Sequence, residues 1–68
     1  MTLEQIKSKY KALSEMCAKR GNMYNAKAEE YKTKGYYEEE KAYIEAATKE
    51  FSEASIYMHF VNELLSIN

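Results

Sequence analysis

The sequence predicts an all-α chain, an antiparallel hairpin of two long helices that dimerises into a four-helix bundle. Three observations predict it. There is no proline and there are only two glycines in 68 residues, so little interrupts a helix. Apolar residues recur at threes and fours through both halves of the chain. The halves also carry opposite charge: residues 1–34 hold eight basic against four acidic residues, and residues 35–68 hold two against seven. Folding one half back on the other brings opposite charges together, whereas a parallel, in-register pair of single long helices would stack like on like.

A chain of this length makes one small domain, residues 1–68. Burial and ordering entropy nearly cancel at this size, so such a fold needs a staple. Cys17 is the one cysteine, which excludes an internal disulfide, and no Cys/His cluster offers a zinc site. Regular helix packing and self-association remain. No apolar run approaches the ~20 residues of a membrane span, and no signal-peptide pattern opens the chain. With a lone thiol, this points to a cytoplasmic protein. Starting at Met1, the chain reads as a complete small reading frame of the kind carried by bacteria and phages.

The first helix is expected over about residues 2–34. Thr2 serves as N-cap and Gln5 completes a Thr-x-x-Gln capping box. Leu3, Ile6, Tyr10, Leu13, Cys17, Tyr24, Ala28 and Tyr31 then form a narrow seam of coiled-coil type. Gly21-Asn22 interrupts it, and Lys19-Arg20-Gly21 has the form of a helix end. The seam keeps its phase across the glycine, however, which favours one helix, straight or bent there, over two short ones. Lys32-Thr33-Lys34-Gly35 is the stronger stop, and Glu38-Glu39-Glu40 suits the start of a second helix. That helix is expected over residues 37–67, with seam residues Ile44, Ala47, Phe51, Ala54, Met58, Val61 and Leu65. Positions whose numbers sum to about 70 then face each other, so that Tyr10 meets Phe60 or Val61 and Cys17 meets Ala54.

The last dozen residues carry more apolar surface than one seam uses. Ile56, Tyr57, Met58, Phe60, Val61, Leu64, Leu65 and Ile67 cover an arc about twice the ~100° that a helix lying on one core requires. Met58, Val61 and Leu65 continue the seam, while Ile56, Phe60, Leu64 and Ile67 form a second stripe. Either that stripe packs on a third segment of the chain or it meets another molecule. No third segment is left over, so Ile56, Tyr57, Phe60, Leu64 and Ile67 are the candidate interface.

No catalytic, cofactor-binding or metal-ligating set emerges. His59 is the single histidine, and with Glu63 it lies on the polar side as a solvated pair. The residue three before it is Ile56, so the Glu-x-x-His element of di-iron bundles is absent. Cys17 on the apolar seam reads as a small buried hydrophobe. Seven tyrosines suit interfaces, because each buries a ring and keeps a hydroxyl for a partner. Tyr36 and Tyr37 would form an aromatic tip at the turn. Lys7, Lys9, Lys11, Lys19 and Arg20 offer a basic patch for nucleic acid, against which stands a net charge of −1. Tyr24, Ala28, Tyr31, Gly35, Tyr37, Ile44 and Ala47 resemble a single tetratricopeptide helix pair. Gly35-Tyr-Tyr-Glu-Glu39 resembles the helix junction of microtubule-interacting-and-transport domains. Together these cover about a third of the chain, Glu40 replaces the alanine of the repeat pattern, and no function is carried over.

The sequence therefore points to a small interaction protein, not an enzyme. It would act as a regulator or inhibitor, phage-borne or bacterial, that pairs with itself and binds an unidentified protein through its C-terminal helix. The alternative is a nucleic-acid-binding accessory protein using the basic first helix.

Overall fold

The computed structural model describes residues 2–67, and side chains as far as Ser66; Met1 and Asn68 lie outside the described residues. It is a two-helix hairpin: α1 spans Leu3–Thr33 and α2 spans Tyr37–Ile67, each of 31 residues. At 1.5 Å per residue each helix is about 46 Å long, and the folded chain measures 51 × 14 × 13 Å. No described helix is long and apolar enough to cross a membrane.

Both ends of α1 are fixed by local chemistry. Thr2 Oγ1 accepts from the Gln5 amide at 3.2 Å, and Gln5 Oε1 accepts from the Thr2 amide at 2.8 Å, which closes the capping box. At the other end Gly35 takes φ +81°, in the left-handed region. The Gly35 amide donates to the Lys32 carbonyl at 3.1 Å and the Tyr36 amide to the Tyr31 carbonyl at 2.9 Å. This paired arrangement satisfies two carbonyls that the helix end leaves open, and the rings of Tyr31 and Tyr36 meet over it at 6.1 Å. Glu38, Glu39 and Glu40 occupy the first turn of α2, where its dipole favours negative charge.

α1 runs unbroken through Gly21-Asn22. Gly21 is buried, and a Cβ built on it would lie 2.8 Å from the ring of Phe51. The glycine leaves room for a ring of α2 against the helix backbone, and it terminates nothing.

The helices meet along a seam that keeps Cys17, Ala28, Ala47, Ala54 and Val61 of the predicted set and replaces its larger members. In α1 the residues that α2 covers most fully are Lys7, Ser14, Gly21 and Ala28, at intervals of seven, together with Cys17. Leu3, Tyr10, Tyr24 and Tyr31 are half-buried beside them. In α2 the buried set is Ala47, Ala54 and Val61, flanked by half-buried Glu40, Tyr43, Glu50, Tyr57 and Leu64. Ile44, Phe51, Met58 and Leu65, assigned to the seam from sequence, instead stand at its edge and are 36–53 % exposed. Ile6 and Leu13 flank the seam in α1, half-buried. The reason is steric: small residues at the line of contact let the two backbones approach closely, and larger ones are displaced to either side. The predicted register does hold. Tyr10 packs edge-on against Phe60 at 4.8 Å, and Arg20 reaches Glu50.

Two substitutions test these features by chemical denaturation. Gly35→Ala should lower stability by about 1–2 kcal/mol, because an L-residue is strained at that backbone conformation. Replacing Gly21 by alanine should gain about 1 kcal/mol of helix propensity in a Phe51→Ala background, and lose that gain when the phenylalanine ring is present. Equal gains in both backgrounds would show that the ring does not rest on Gly21.

Candidate interaction surface

Around α2 the side chains divide into three sectors. The first is the hairpin seam, with Ala47, Ala54 and Val61 buried. It also takes in Tyr57, whose ring lies 5.8 Å from that of Tyr10, and Leu64, which is half-buried. The second holds Ile56, 66 % exposed, and Phe60, 42 % exposed although its other face meets Tyr10. Heptad position places the exposed Met16 of α1 and half-buried Leu13 on the same side as Phe60. The third is the exposed stripe of Ile44, Phe51, Met58 and Leu65. Of the five candidate interface residues, the structure thus sets Tyr57 and Leu64 partly into the hairpin and leaves Ile56 and Phe60 open. The side chain of Ile67 lies outside the described residues.

The doubled apolar arc at the C-terminus is therefore divided differently from the sequence reading. α1 covers one flank of it, through Tyr57, Val61 and Leu64, and both remaining flanks face solvent. Exposed apolar side chains in contiguous rows mark interaction surfaces, whereas single ones need no explanation.

Tyrosines fill most of one edge of the seam. Tyr31 stacks on Tyr43 at 5.5 Å with rings 10° apart, and Tyr24 meets Tyr43 at 6.0 Å. Tyr43 and Tyr57 are half-buried, with their rings against tyrosines of α1. Tyr36 and Tyr37 at the turn are both exposed, and Tyr36 doubles as the ring that closes the end of α1. Beside Tyr24 and Tyr43 a shallow apolar groove of about 360 Å³ continues to Met23 and Lys27.

The middle of the same edge is polar. Arg20 Nε donates to Glu50 at 3.0 Å, and its Nη2 donates to Cys17 Sγ at 3.4 Å. The Cys17 thiol lies 3.9 Å from Glu53 Oε2 as a donor. Ligating atoms of Cys17, Glu50 and Glu53 lie within 4.8 Å of one another, a spacing that would suit a metal ion. The Arg20 guanidinium already supplies the positive charge there, bonded to two of the three groups. Burial pushes the thiol's pKa up, Arg20 partly offsets this, and Glu50 and Glu53 add to it. The result is a protonated, unreactive sulfur within a charged cross-link between the helices. Nearby, Ser14 Oγ donates to the Ala54 carbonyl at 2.9 Å.

The opposite charges of the two halves meet directly in one ion pair across the hairpin, Arg20–Glu50. The other ion pairs among the described residues lie within a helix. Lys7, a member of the basic patch, is buried along the seam with its ammonium on Glu4 at 2.9 Å, its stem covering apolar surface. Lys9, Lys11 and Lys19 are exposed. His59 and Glu63 pair at 3.3 Å on the solvent side. Glu30 holds Lys34 and Lys27, which keep its carboxyl below the usual range.

No family model matches the chain, and neither a curated protein nor a solved structure does. The functional reading rests on its own residues.

Two measurements test the polar cluster. A thiol with a raised folded pKa contributes stability that is complete below its unfolded value near 9.0 and is lost as pH rises through the folded one. Cys17→Ala should therefore lessen the fall in stability above pH 9, and the native thiol should alkylate much more slowly than that of the urea-unfolded chain. Ser14→Ala should cost about 1 kcal/mol, the net worth of one buried hydrogen bond.

Proposed function

We propose that the chain is a small protein–protein interaction module that dimerises through its helices into a four-helix bundle and captures a second protein with the C-terminal part of α2. It acts as a binding protein, a regulator or inhibitor in the cytoplasm, and not as a catalyst. The observation that carries this reading is the pair of exposed apolar flanks on α2, one through Ile56 and Phe60 and the other through Ile44, Phe51, Met58 and Leu65. A two-helix rod has no third element to cover either. A folded monomer of 8.0 kDa exposes about 4,450 Å² by the usual scaling, whereas this chain exposes 5121 Å². Association that covers the exposed apolar rows gains about 25 cal/mol per Å² of apolar surface removed from water.

The capture surface is Ile56 and Phe60 with the open parts of Tyr57 and Leu64, and Ile67 is assigned to it from the sequence pattern alone. Nucleic-acid binding has less support, because Lys7 is committed to the hairpin and to Glu4. The remaining exposed lysines of α1 are interspersed with Glu4 and Glu15.

Affinity capture from a bacterial lysate, with the wild-type chain and an Ile56→Asp/Phe60→Asp variant as baits, tests the reading. A protein retained by the wild type should be lost on the variant while helicity by circular dichroism stays within error. Capture unaffected by both aspartates would move the contact elsewhere on the chain. Retention of DNA or RNA that weakens steeply with salt and with Lys11→Ala would favour the nucleic-acid reading instead.

A further inference from the structure

The stripe of Ile44, Phe51, Met58 and Leu65 repeats every seven residues, and Thr48, Ser55 and Asn62 fill the positions between. Together they run 44, 48, 51, 55, 58, 62, 65, alternating steps of four and three like the seam that binds α2 to α1. All seven of these side chains are exposed, and the four apolar members are 36–53 % exposed. α2 thus carries a second row with coiled-coil spacing, of which α1 covers only the inner side, where the Phe51 ring rests on Gly21.

We propose that this second row is where another copy of the same chain docks, α2 against α2, antiparallel, with Ser55 near the two-fold axis. The proposal deepens the self-association reading above and rests on it. Three observations select a second copy as the occupant.

The first is charge. α2 carries seven acidic residues, Glu38, Glu39, Glu40, Glu45, Glu50, Glu53 and Glu63, and none of them falls on the stripe. Two copies of so acidic a helix repel across any other face, but from Ile44 to Leu65 this one holds no charged side chain. The second is symmetry. A dimer about a two-fold axis needs a self-complementary patch. Phe51 and Met58 lie at nearly equal distances on either side of Ser55, as Ile44 and Leu65 do further out. Turning a second copy end for end therefore lays Phe51 over Met58 and Ile44 over Leu65, with small Ser55 at the crossing.

The third is fit. Shallow grooves lie at both ends of this face, one of about 330 Å³ beside Ile44 and Lys32 and one of about 380 Å³ beside Met58, Leu65 and Lys11. The antiparallel overlay brings Ile44 of each copy to the groove at Leu65 of the other. The stripe from Ile44 to Leu65 is about 32 Å long on a hairpin 14 Å wide, so each copy contributes roughly 450 Å², less than the ~800 Å² of a standard interface, which makes the dimer one of modest affinity. The dimer leaves Ile56 and Phe60 on the far flank, free for the captured protein.

Analytical ultracentrifugation across a concentration series tests the assignment. Met58→Glu with Leu65→Glu should weaken self-association by at least about 30-fold, whereas Ile56→Asp with Phe60→Asp should leave it unchanged. In a Cys17→Ala background, Ser55→Cys should oxidise rapidly to a disulfide-linked dimer, and Lys49→Cys, which lies off the stripe, should not. The cysteine pair decides the matter if the double glutamate variant fails to fold. A dimer that survives the glutamates, is lost with the aspartates and does not cross-link at residue 55 would overturn the stripe assignment while leaving self-association standing. A wild-type chain that stays monomeric at all concentrations would overturn both.

Discussion

The structure depends on how closely α1 and α2 approach. Ser14, Gly21 and Ala28 on one helix and Ala47 and Ala54 on the other put almost no side-chain bulk between the backbones. Close contact over so long a line gains dispersion energy atom by atom. It also brings the Ser14 hydroxyl within reach of a carbonyl of α2 and lays the Phe51 ring on the α1 backbone. The cost falls on the large residues, which cannot lie between the helices and must line the edges. Tyrosines and the Arg20–Glu50 pair take one edge, while Ile44, Phe51, Met58 and Leu65 take the other. A thin seam and an apolar exterior are two results of the same choice of small residues.

That arrangement explains why a chain with a considerable apolar content exposes so much of it. A layer of two helices has no interior in the usual sense; among the described residues the buried apolar side chains are Cys17, Ala28, Ala47, Ala54 and Val61, all small. Large side chains reach burial only when another layer is added. The exposed apolar rows are thus what two helices of this composition leave uncovered.

The element boundaries were legible in the sequence because local chemistry sets them. Thr2, Gln5 and Gly35 act through their nearest neighbours, and their roles can be read without knowing the fold. The pairing register was legible too, since one short turn joins two helices of equal length. The face of each helix turned inward was legible in part: Cys17, Ala28, Ala47, Ala54 and Val61, which the apolar spacing puts on the seam, are the buried apolar residues. The same spacing also selects Ile6, Leu13, Ile44, Phe51 and Met58, which stand at the edge, and it passes over Lys7, Ser14 and Gly21, which are buried, and Glu40 and Glu50, half-buried beside them. A lysine is tolerated there by its stem, a glutamate by an arginine across the groove, and a glycine by the ring it admits. Each depends on a partner from the other helix. Gly21 was ambiguous for the same reason: whether it ends a helix or receives a ring is decided by Phe51, thirty residues on. The division of the C-terminal arc followed from the seam and shifted with it. The regular spacing of Thr48, Ser55 and Asn62 between the exposed apolar residues was present in the sequence throughout, but small polar residues give no signal when only apolar periodicity is sought.

The single turn at Gly35 closes the hairpin at one extremity only. Tyr31, Tyr36 and Tyr43 gather beside it, so the cost of loop closure is smallest there and pairing can zip outward from the turn. At the opposite extremity no turn joins the two helices among the described residues, so separating them costs least there. Leu65 and Phe60 both lie toward that loose extremity. Any molecule that grips them therefore splints the fork of the hairpin, and part of its binding free energy appears as suppressed opening of the helices and not as new contact alone.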